Sequence, residues 1–573
     1  MPLRLLALRL FTPILFISRL AAITIIAMPM APTPSRAQSE TDVALSFLVE
    51  YETNVKPLDI AIGKAWWKAN TTGNDKDFAE KEALEKRYNE LLSSPAKFET
   101  LKGLQHDLGD PQLTRQMRLL YLEYLDKQVD VQLLNRMSAK ANEIEKKFNV
   151  FRAKVGDKTL TDSEVRDVLK NSKDLDERKQ VWEAAKQVGA EVAPDLRELV
   201  LLRNQAAQKL GFADFHVMQL QLNEQKQADV LALFDELDEL TRQPFAQAKQ
   251  EIDDRLAKQY GISVDELRPW HYHDPFFQEP QAVYAADLDA PFRNANILEI
   301  CREFYDGIGL PIEDVLERSD LYEKPGKSPH AVCIDIDREG DVRVLANIKP
   351  NGYWMSTMLH ELGHAVYSSK NIPADLPYVL RSDAHILATE GVAMMFERFC
   401  TDSSWLANYG VDVADAAQFD AASRRQRRDK LLIFSRWCQV MLRFEVALYK
   451  NPDQDLNHLW WNLVEEYQLL RRPDGREAPD YASKIHVVSA PAYYHNYMMG
   501  ELFACQVHAA IVRDLGLSGQ PRDAIYTRDP AVGRFMNEKV FGPGRLYPWN
   551  ELTRHATGAE LNAQAFAAEF QTE

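Results

Sequence analysis

Cysteine is scarce in this chain. The 573 residues include five cysteines, which are widely spaced and contain no Cys-x-x-Cys pair. The odd number leaves at least one thiol unpaired and allows at most two disulfides. A chain of this length can bury a large core without disulfides. The cysteine pattern therefore gives no support to a disulfide scaffold or to a zinc site built from thiolates.

Positive charge is also in deficit. Lysine and arginine total 68 against 85 acidic residues, so the formal net charge is −17. Such a surface repels nucleic acid and anionic lipid, so neither is an expected partner. The ordinary consequence of this acidity is solubility, and the charge carries no information about the fold.

No apolar run in the sequence is long enough to be a clear membrane span. Residues 1–37 nevertheless differ in composition from the rest of the chain. Three arginines punctuate an apolar stretch in which residues 20–31 carry no charge, and residues 35–37 form a small-x-small pattern that suits signal peptidase. We predict a signal peptide cleaved after Ala37, a periplasmic or secreted mature chain, and no membrane contact after cleavage. The alternative is a retained anchor, although Pro29 interrupts the short apolar run.

Internal repeats and low-complexity tracts are absent from the sequence, and the dominant pattern is helical. Apolar residues recur three and four positions apart, among many charges, in residues 40–62, 76–92, 131–154 and 198–220. Segments 160–164 and 172–175 are typical helix-capping sequences. The first half of the chain, which contains these segments, shows no pattern that indicates strands.

One later stretch breaks the helical pattern. Residues 331–336 and 342–348 are short β-prone runs, and residues 337–341 between them suit a hairpin turn. Long helical patterns then resume and continue beyond Cys505. The sequence therefore predicts a mostly α protein with a small sheet.

A metal-binding pattern follows directly after this hairpin. Residues 354–367 read as one helix, in which His360 and His364 lie four positions apart on one face. Two neutral imidazoles at this spacing can reach one zinc ion, and Glu361 beside them can activate a water and pass its proton to the leaving amine. A chance match is the alternative. The apolar neighbours of the motif favour a buried helix, and we predict one zinc ion per chain.

A catalytic zinc needs a third protein ligand and one open position. The candidates downstream are Asp375, Asp383, Glu390 and Glu397. Glu390 lies in an apolar helical run that would bury its carboxylate, and a metal is the best partner for a buried acid. A buried salt bridge is the alternative role. We predict Glu390 as the ligand and Glu397, on the same helical face, as a surface acid or an acid behind the ligands.

A cluster of polar residues lies nearer the carboxyl end. Lys484 can pair with a substrate carboxylate, while His486 and a tyrosine hydroxyl, from Tyr494 or Tyr497, can donate to an oxyanion. Tyrosine-rich helices more often pack than catalyse, so these residues alone are a weak signal.

Several segments correspond to landmarks of one family. They are residues 65–72 (AWWKANTT), 202–207 (LRNQAA), 211–214 (GFAD), 377 with 381–383 ahead of Glu390, 460–468 (WWNLVEEYQ), 548–549 and 557–558. Through these segments the chain resembles the angiotensin-converting enzyme family, the zinc peptidyl-dipeptidases, along most of residues 38–573.

The resemblance implies roles for individual residues. Lys484 and Tyr494 would bind the free carboxyl terminus of a short peptide, with Gln278 as a third group. His486 and Tyr497 would stabilise the tetrahedral intermediate.

The resemblance also places His330 and Ala331 on the strand that holds the substrate backbone. It implies release of carboxyl-terminal dipeptides. The implied fold is a helical zincin, gluzincin-like, with two helical halves around a deep cleft, a small sheet beside the zinc helix and amino-terminal lid helices within residues 38–573.

The chain departs from the family at several positions. Val464 and Asn496 stand where animal members carry chloride-binding arginines, so chloride activation is not expected. Met394 replaces an aspartate that supports a zinc histidine, so another group must orient that ring. The interval from His364 to Glu390 is longer than usual by about two residues.

Two other functions fit the same motif. An oligopeptidase of the thimet or oligoendopeptidase group shares the zinc, the helical cleft and the motif, but cleaves internal bonds. A catalytically silent relative would bind peptides or metal only. Retention of Glu361 and of both oxyanion donors argues against the silent relative. The sequence gives no indication of the oligomeric state.

Overall fold

The computed structural model describes residues 39–280 and 287–571. The predicted signal peptide, residues 1–37, lies outside these residues and stays a prediction. Within the described part of the chain, no helix combines the length and apolar character that a membrane crossing requires. All five cysteines are described, and none of them forms a disulfide.

The mostly helical architecture is confirmed. The helices of the first half are α1 (Glu40–Asn54), α2 (Lys56–Thr72), α3 (Asp75–Leu92), α4 (Pro95–Gly103), α5 (Pro111–Asp126), α6 (Val131–Val150), α7 (Asp162–Asn171), α8 (Leu175–Lys209), α9 (Phe215–Leu222) and α10 (Gln227–Tyr260). Those of the second half are α11 (Ile297–Gly307), α12 (Glu313–Arg318), α13 (Gly352–Val366), α14 (Ile386–Glu397), α15 (Ser403–Ala407), α16 (Ala416–Lys450), α17 (Leu456–Gln468), α18 (His486–Ser489), α19 (His495–Asp514), α20 (Pro530–Met536), α21 (Trp549–Thr557) and α22 (Gln564–Ala568).

The predicted capping sequences begin helices as expected. Thr161 and Glu164 form a capping box at the start of α7, in which each side chain binds the backbone of the other residue. The Asp174 side chain accepts hydrogen bonds from two amides at the start of α8. These caps satisfy amides that have no partner inside the helix.

Three continuous helical predictions are wrong in detail, and the first is the run 131–154, because α6 already ends at Val150. The predicted run 40–62 is divided at Val55, where α1 ends and α2 begins with a proline in its first turn. The run 198–220 is divided by a loop that includes Gly211, whose φ of +89° suits glycine. Periodicity alone does not reveal such breaks, because the apolar pattern continues across them.

The expectation of no strands in the first half is also wrong. Strands β1 (Ala153–Val155) and β2 (Lys158–Leu160) form an antiparallel hairpin with a two-residue loop at Gly156 and Asp157. Strands of three residues are too short to establish an alternating pattern. The Gly-Asp loop was the available signal.

The predicted hairpin ahead of the metal motif is confirmed. Strands β3 (Val332–Asp335) and β4 (Val342–Leu345) pair antiparallel, with Val332 opposite Leu345 and Asp335 opposite Val342. Within the described residues, no other strand pairs with β3. The hairpin therefore leaves one edge of β3 open beside the metal helix.

The amino-terminal helices form a small core of their own. Buried residues of α1, α4 and α5 pack together with residues 378–380. Helix α2 contacts the β3–β4 turn, where Lys56 pairs with Glu339 at 2.6 Å and Asp59 pairs with Arg338 at 3.0 Å. These contacts attach the first helices to the hairpin. Their role as a lid, and the division into two halves around a deep cleft, stay predictions.

The helices that carry the site pack unusually closely at glycines. A Cβ atom added at Gly363 of α13 would lie 2.7 Å from the Ala393 Cα atom of α14. A Cβ atom added at Gly391 of α14 would lie 2.7 Å from the Gly500 carbonyl oxygen of α19. The two glycines therefore allow three helices to bring their side chains into one small volume.

Candidate metal centre

Helix α13 presents two histidines on one face. The side chain of Asn351 caps the helix by accepting a hydrogen bond from the Trp354 amide. His360 and His364 follow one turn apart on this helix, and their Nε2 atoms lie 3.1 Å from each other. The two imidazoles therefore converge on one point.

Helix α14 supplies the carboxylate predicted to complete the site. Glu390 Oε2 lies 3.6 Å from His360 Nε2. One ligand atom from each of His360, His364 and Glu390 lies within 4.8 Å of the others. Among the described residues, neither Asp375, which is exposed, nor Asp383 belongs to this group.

The donor set fits a zinc ion. Two nitrogens bound to a tetrahedral zinc at about 2.0–2.1 Å are about 3.3 Å apart. The observed separation of the two Nε2 atoms is 3.1 Å. Two histidines and one glutamate are a known donor set of catalytic zinc, and they leave a fourth position open.

The other nitrogen of each imidazole has a partner. His364 Nδ1 lies 2.8 Å from the Thr389 hydroxyl oxygen. His360 Nδ1 lies 2.8 Å from Glu397 Oε2, and Lys430 donates to the other oxygen of that carboxylate at 3.2 Å. Each Nδ1–H can therefore donate to an oxygen, which leaves Nε2 free to bind a metal.

The electrostatics of the cluster also favour a cation. Burial lowers the pKa of His364 to about 3, which keeps this imidazole neutral. At His360 burial opposes protonation, but the carboxylates of Glu397, Glu361 and Glu390 outweigh it and raise the pKa to about 9. Burial also raises the pKa of Glu390. A positive charge among these three carboxylates is therefore stabilised.

Glu361 lies beside the ligand cluster without belonging to it. Its side chain is buried, and the backbone of Cys333 in β3 lies near enough to the carboxylate to counteract part of the rise in its pKa. Burial is the main cause that raises the pKa of Glu361 to about 7. A carboxylate with such a pKa is suited to accept and return a proton near neutral pH.

The residues predicted to hold a carboxyl terminus lie together. Lys484 donates a hydrogen bond to Gln278 Oε1 at 2.6 Å, and its ammonium lies 5.6 Å from the centroid of the Tyr494 ring. Burial lowers the pKa of Lys484 to about 8, so the ammonium form still predominates at pH 7. A buried ammonium with a neutral hydrogen-bond partner is suited to an incoming anion.

The predicted oxyanion donors adjoin this group. The His486 ring lies 5.3 Å from the Tyr494 ring, which lies 5.6 Å from the Tyr497 ring. Burial lowers the pKa of His486 to about 4, so the imidazole is neutral at pH 7. Burial and the charge of Glu390 raise the pKa of Tyr497, which keeps its hydroxyl protonated and therefore a donor.

Sequence reasoning missed Tyr493. Its ring lies 5.2 Å from the Tyr497 ring, and burial together with the charge of Glu390 raises its pKa. Tyr493 directly precedes Tyr494 and lies ahead of α19, which begins at His495, so helical spacing gave no signal for its contact with Tyr497.

His330 and Ala331 lie next to the strand and not within it. The strand β3 begins at Val332, one residue later than the predicted start. His330 is exposed, and Ala331 is half-buried. Both residues therefore lie directly ahead of β3, whose Cys333 backbone lies near the Glu361 carboxylate.

The positions that depart from the family pattern have ordinary surroundings. Val464 is buried in the main core. Asn496 is buried and accepts a hydrogen bond from the Gln225 amide at 2.7 Å. Met394 is half-buried on α14, between Glu390 and Glu397.

A buried glutamate supports the loop that connects the predicted substrate-binding residues. Glu445 Oε1 accepts a hydrogen bond at 2.9 Å from the amide of Ala492, whose φ of +54° is rare for a residue other than glycine. Arg203 donates to the carbonyl groups of Val487 and Val488 in the same segment. Burial raises the pKa of Glu445 to about 7.

We expect Glu445→Gln to stabilise the protein above pH 7 and to have little effect near pH 4. The pKa of Glu445 is higher in the folded than in the unfolded chain, so its contribution is full at low pH and is lost as the pH rises from about 4.5 through 7. Glutamine keeps the acceptor for Ala492 without the buried charge. The expected gain at pH 8 is about 3 kcal/mol, measured from urea unfolding across this pH range.

The matched control is Glu239→Gln, which neutralises an exposed glutamate of α10. It should shift the unfolding midpoint little at either pH. A difference between wild type and Glu445→Gln that stays constant from pH 4 to pH 8 would contradict the titration of Glu445 in the folded chain.

Most of the chain matches one known family. The family model described as angiotensin-converting enzyme matches residues 38–572. An angiotensin-converting enzyme of Theromyzon tessulatum is 21% identical over 444 residues, which cover 72% of this chain and 71% of that protein. An angiotensin-converting enzyme-related protein of Drosophila melanogaster is 21% identical over 339 residues, which cover 55% of this chain and about half (52%) of that protein. The resemblance predicted from the sequence is confirmed, and the chain belongs to the angiotensin-converting enzyme family.

Proposed function

We propose that this protein is a zinc metallopeptidase in which His360, His364 and Glu390 hold the metal. The observation that carries the proposal is the convergence of their three ligand atoms, while both Nδ1 atoms are occupied by other partners. When bound, zinc would act as a Lewis acid that polarises the peptide carbonyl and acidifies a water. The remaining chemistry depends on side chains of this chain.

Glu361 is the proposed general base. Its carboxylate lies next to the ligand cluster and near the backbone of Cys333. With a pKa of about 7, it can take a proton from water and return it to the leaving amine. This base therefore lies beside β3, the strand proposed to bind substrate.

His486 and Tyr497 are the proposed donors to the developing oxyanion. A neutral imidazole and a protonated phenol each offer one hydrogen to an oxygen acceptor. His486 Nδ1 is buried and has no hydrogen-bond partner among the described residues. In the tautomer that carries its proton on Nε2, the imidazole can donate to the substrate.

Lys484, Tyr494 and Gln278 are proposed to bind the carboxyl terminus of the peptide. The buried ammonium of Lys484 would exchange its contact with Gln278 for a carboxylate, or share both. The open edge of β3, entered through His330 and Ala331, would bind the substrate backbone by strand addition. With the carboxyl terminus held beyond the metal, the expected product is a carboxyl-terminal dipeptide.

The proposed substrates are therefore short peptides, with no nucleic acid or membrane partner. The signal peptide predicted over residues 1–37 supports a periplasmic or secreted location. Chloride activation is not proposed, because Val464 and Asn496 lack the cationic side chains that would bind the anion.

The test compares a peptide with a blocked amine and a free carboxyl terminus with its amidated twin. Products are identified by mass, with and without a chelator. We expect chelator-sensitive release of a dipeptide from the free acid only. Lys484→Met should lower kcat/KM for the free acid by about 10- to 150-fold, the value of a hydrogen bond to a charged group.

The amidated peptide is the negative control, which neither the wild type nor Lys484→Met should cleave, because it has no carboxylate for that ammonium to bind. Equal cleavage of both peptides at an internal bond would reject the carboxyl-terminal clamp and favour an oligopeptidase. No chelator-sensitive cleavage of a broad peptide set would reject the enzyme and favour a binding protein.

A further inference from the structure

The two histidines of the metal centre have unequal partners. His364 contacts a neutral hydroxyl, that of Thr389. His360 contacts the carboxylate of Glu397, with 2.8 Å between Nδ1 and Oε2. A carboxylate orients an imidazole more strongly than a hydroxyl does, because the hydrogen bond is charge-assisted. The orientation of the His360 ring therefore depends on a charged residue outside the three predicted ligands.

Helix α14 supplies this carboxylate together with the predicted ligand. Glu397 is the last residue of α14 and lies seven positions after Glu390, so two helical turns place both acids on the face that packs against α13. Met394, between them, offers no polar atom to an imidazole. The close approach of the two helices at Gly363 brings Glu397 within reach of His360.

Helix α16 holds the carboxylate from the other side. Lys430 Nζ lies 3.2 Å from Glu397 Oε1, so the two oxygens of Glu397 bind one partner each. The Lys430 side chain is 55% exposed and borders a cavity of about 350 Å³ that Glu397, Ser356 and Met394 also line. The hydrogen bond between Lys430 and Glu397 therefore lies at the wall of this cavity.

We propose that Glu397, held by Lys430, is the positioning residue that orients His360 for zinc binding. The proposal rests on the metal site of the proposed function, but not on peptide cleavage. Glu397 would accept the proton of His360 Nδ1, fix the tautomer that offers Nε2 to the metal and prevent rotation of the ring. Lys430 would keep the carboxylate in the rotamer that reaches His360.

The alternative is a salt bridge that only joins α14 to α16. The two roles differ in what they change. Loss of an interhelical salt bridge lowers the stability of the protein with or without metal. Loss of a positioning residue lowers zinc affinity, alters the ligand field of the metal and lowers kcat with KM unchanged.

The experiment measures zinc affinity by competition with a chromogenic chelator in the full-length protein. Glu397→Gln keeps the size of the side chain but replaces the anion with a neutral amide. We expect its zinc affinity to fall about 10- to 100-fold, and the visible absorption bands of the Co²⁺-substituted protein to shift. Zinc affinity within threefold of wild type, with unshifted bands, would overturn the proposal.

Lys430→Met is the second variant, and it decides the question if Glu397→Gln does not fold. It removes the ammonium at the exposed cavity wall and keeps an apolar stem. We expect a smaller loss of zinc affinity, about threefold to tenfold, with the same direction of band shift. An unchanged affinity in Lys430→Met would count against the positioning role.

The matched control is Asp235→Asn. Asp235 of α10 pairs with Arg443 of α16, so this variant also breaks an ion pair between α16 and a neighbouring helix. It should leave zinc affinity and the Co²⁺ spectrum unchanged. A wild-type protein that binds zinc but cleaves no peptide would reject the proposed function alone, since zinc affinity still decides the role of Glu397.

Discussion

Replacing Glu361 by glutamine is expected to lower kcat for peptide hydrolysis by about 10²- to 10⁴-fold. The amide keeps the size of the side chain and still offers an oxygen to the backbone of Cys333 beside it. It cannot take a proton from water, so the base is lost while the geometry is preserved. KM should change little, because Glu361 is not among the residues proposed to bind the peptide.

Zinc content separates this loss of chemistry from a loss of metal. Glu361 does not belong to the group of three ligand atoms, so Glu361→Gln should still bind one zinc per chain. Glu361→Asp is the matched variant: it retains a carboxylate but withdraws it by one methylene. We expect intermediate activity for Glu361→Asp, because a base displaced by about 1 Å still functions at a cost.

More than a tenth of wild-type kcat in Glu361→Gln would contradict the assignment of the base. In that case another carboxylate near the metal would have to accept the proton. Asp383 would be the first to replace, since it lies near Glu390, and burial raises its pKa. A large loss of kcat in Glu361→Gln therefore assigns the base to Glu361, and a small loss makes Asp383 the next residue to replace.

The helix of the metal motif was predictable because its signals are local. A four-residue histidine spacing, an apolar surround and a capping asparagine all lie within residues 351–366. Glu390 was predictable by a different argument: an acid in an apolar helix needs a partner. Neither argument required knowledge of how α13 and α14 pack.

The contact of Glu397 with His360 could not be placed from the sequence alone. Its residues are 37 positions apart, and the contact depends on the rotation of α14 against α13 and on their close approach. Spacing within α14 puts Glu397 on the face of Glu390, but many acids on such a face point to solvent. The departure at Met394 predicted that some group must replace the missing carboxylate, without identifying which.

The loop before Tyr494 illustrates another limit. Ala492 adopts a positive φ, and nothing in its side chain favours that conformation. The cost is offset by tertiary contacts, since Glu445 binds the Ala492 amide and Arg203 binds carbonyl groups nearby. Backbone conformations imposed from a distance leave no signal in the local sequence.

Removing a predicted zinc ligand should have a larger effect on zinc affinity than removing a residue behind it. Loss of an orienting partner lowers metal affinity by about 10- to 100-fold, so His364→Ala and Glu390→Gln should each exceed about 100-fold. Hydrolysis should then fall to the uncatalysed background at zinc concentrations that saturate the wild-type protein. Equilibrium dialysis with zinc analysis measures the first effect, and product formation measures the second.

Stability provides an independent measurement of the same loss. Zinc at a thousand times its Kd stabilises the folded chain by about 4 kcal/mol, and a hundredfold weaker site retains only about 1.4 kcal/mol. The quantity to compare is the increase in stability that zinc produces in each variant, because His364→Ala also leaves the Thr389 hydroxyl without its imidazole partner. Comparing these increases cancels any difference in stability between the variants without zinc.

Asp375→Asn is the control that decides between the candidate third ligands. Asp375 follows the motif in the chain but is exposed and lies outside the group of three ligand atoms. We expect the full zinc-dependent stabilisation in Asp375→Asn and most of it lost in Glu390→Gln. The reverse result would move the third ligand to the loop after α13, and with it the open position of the metal site.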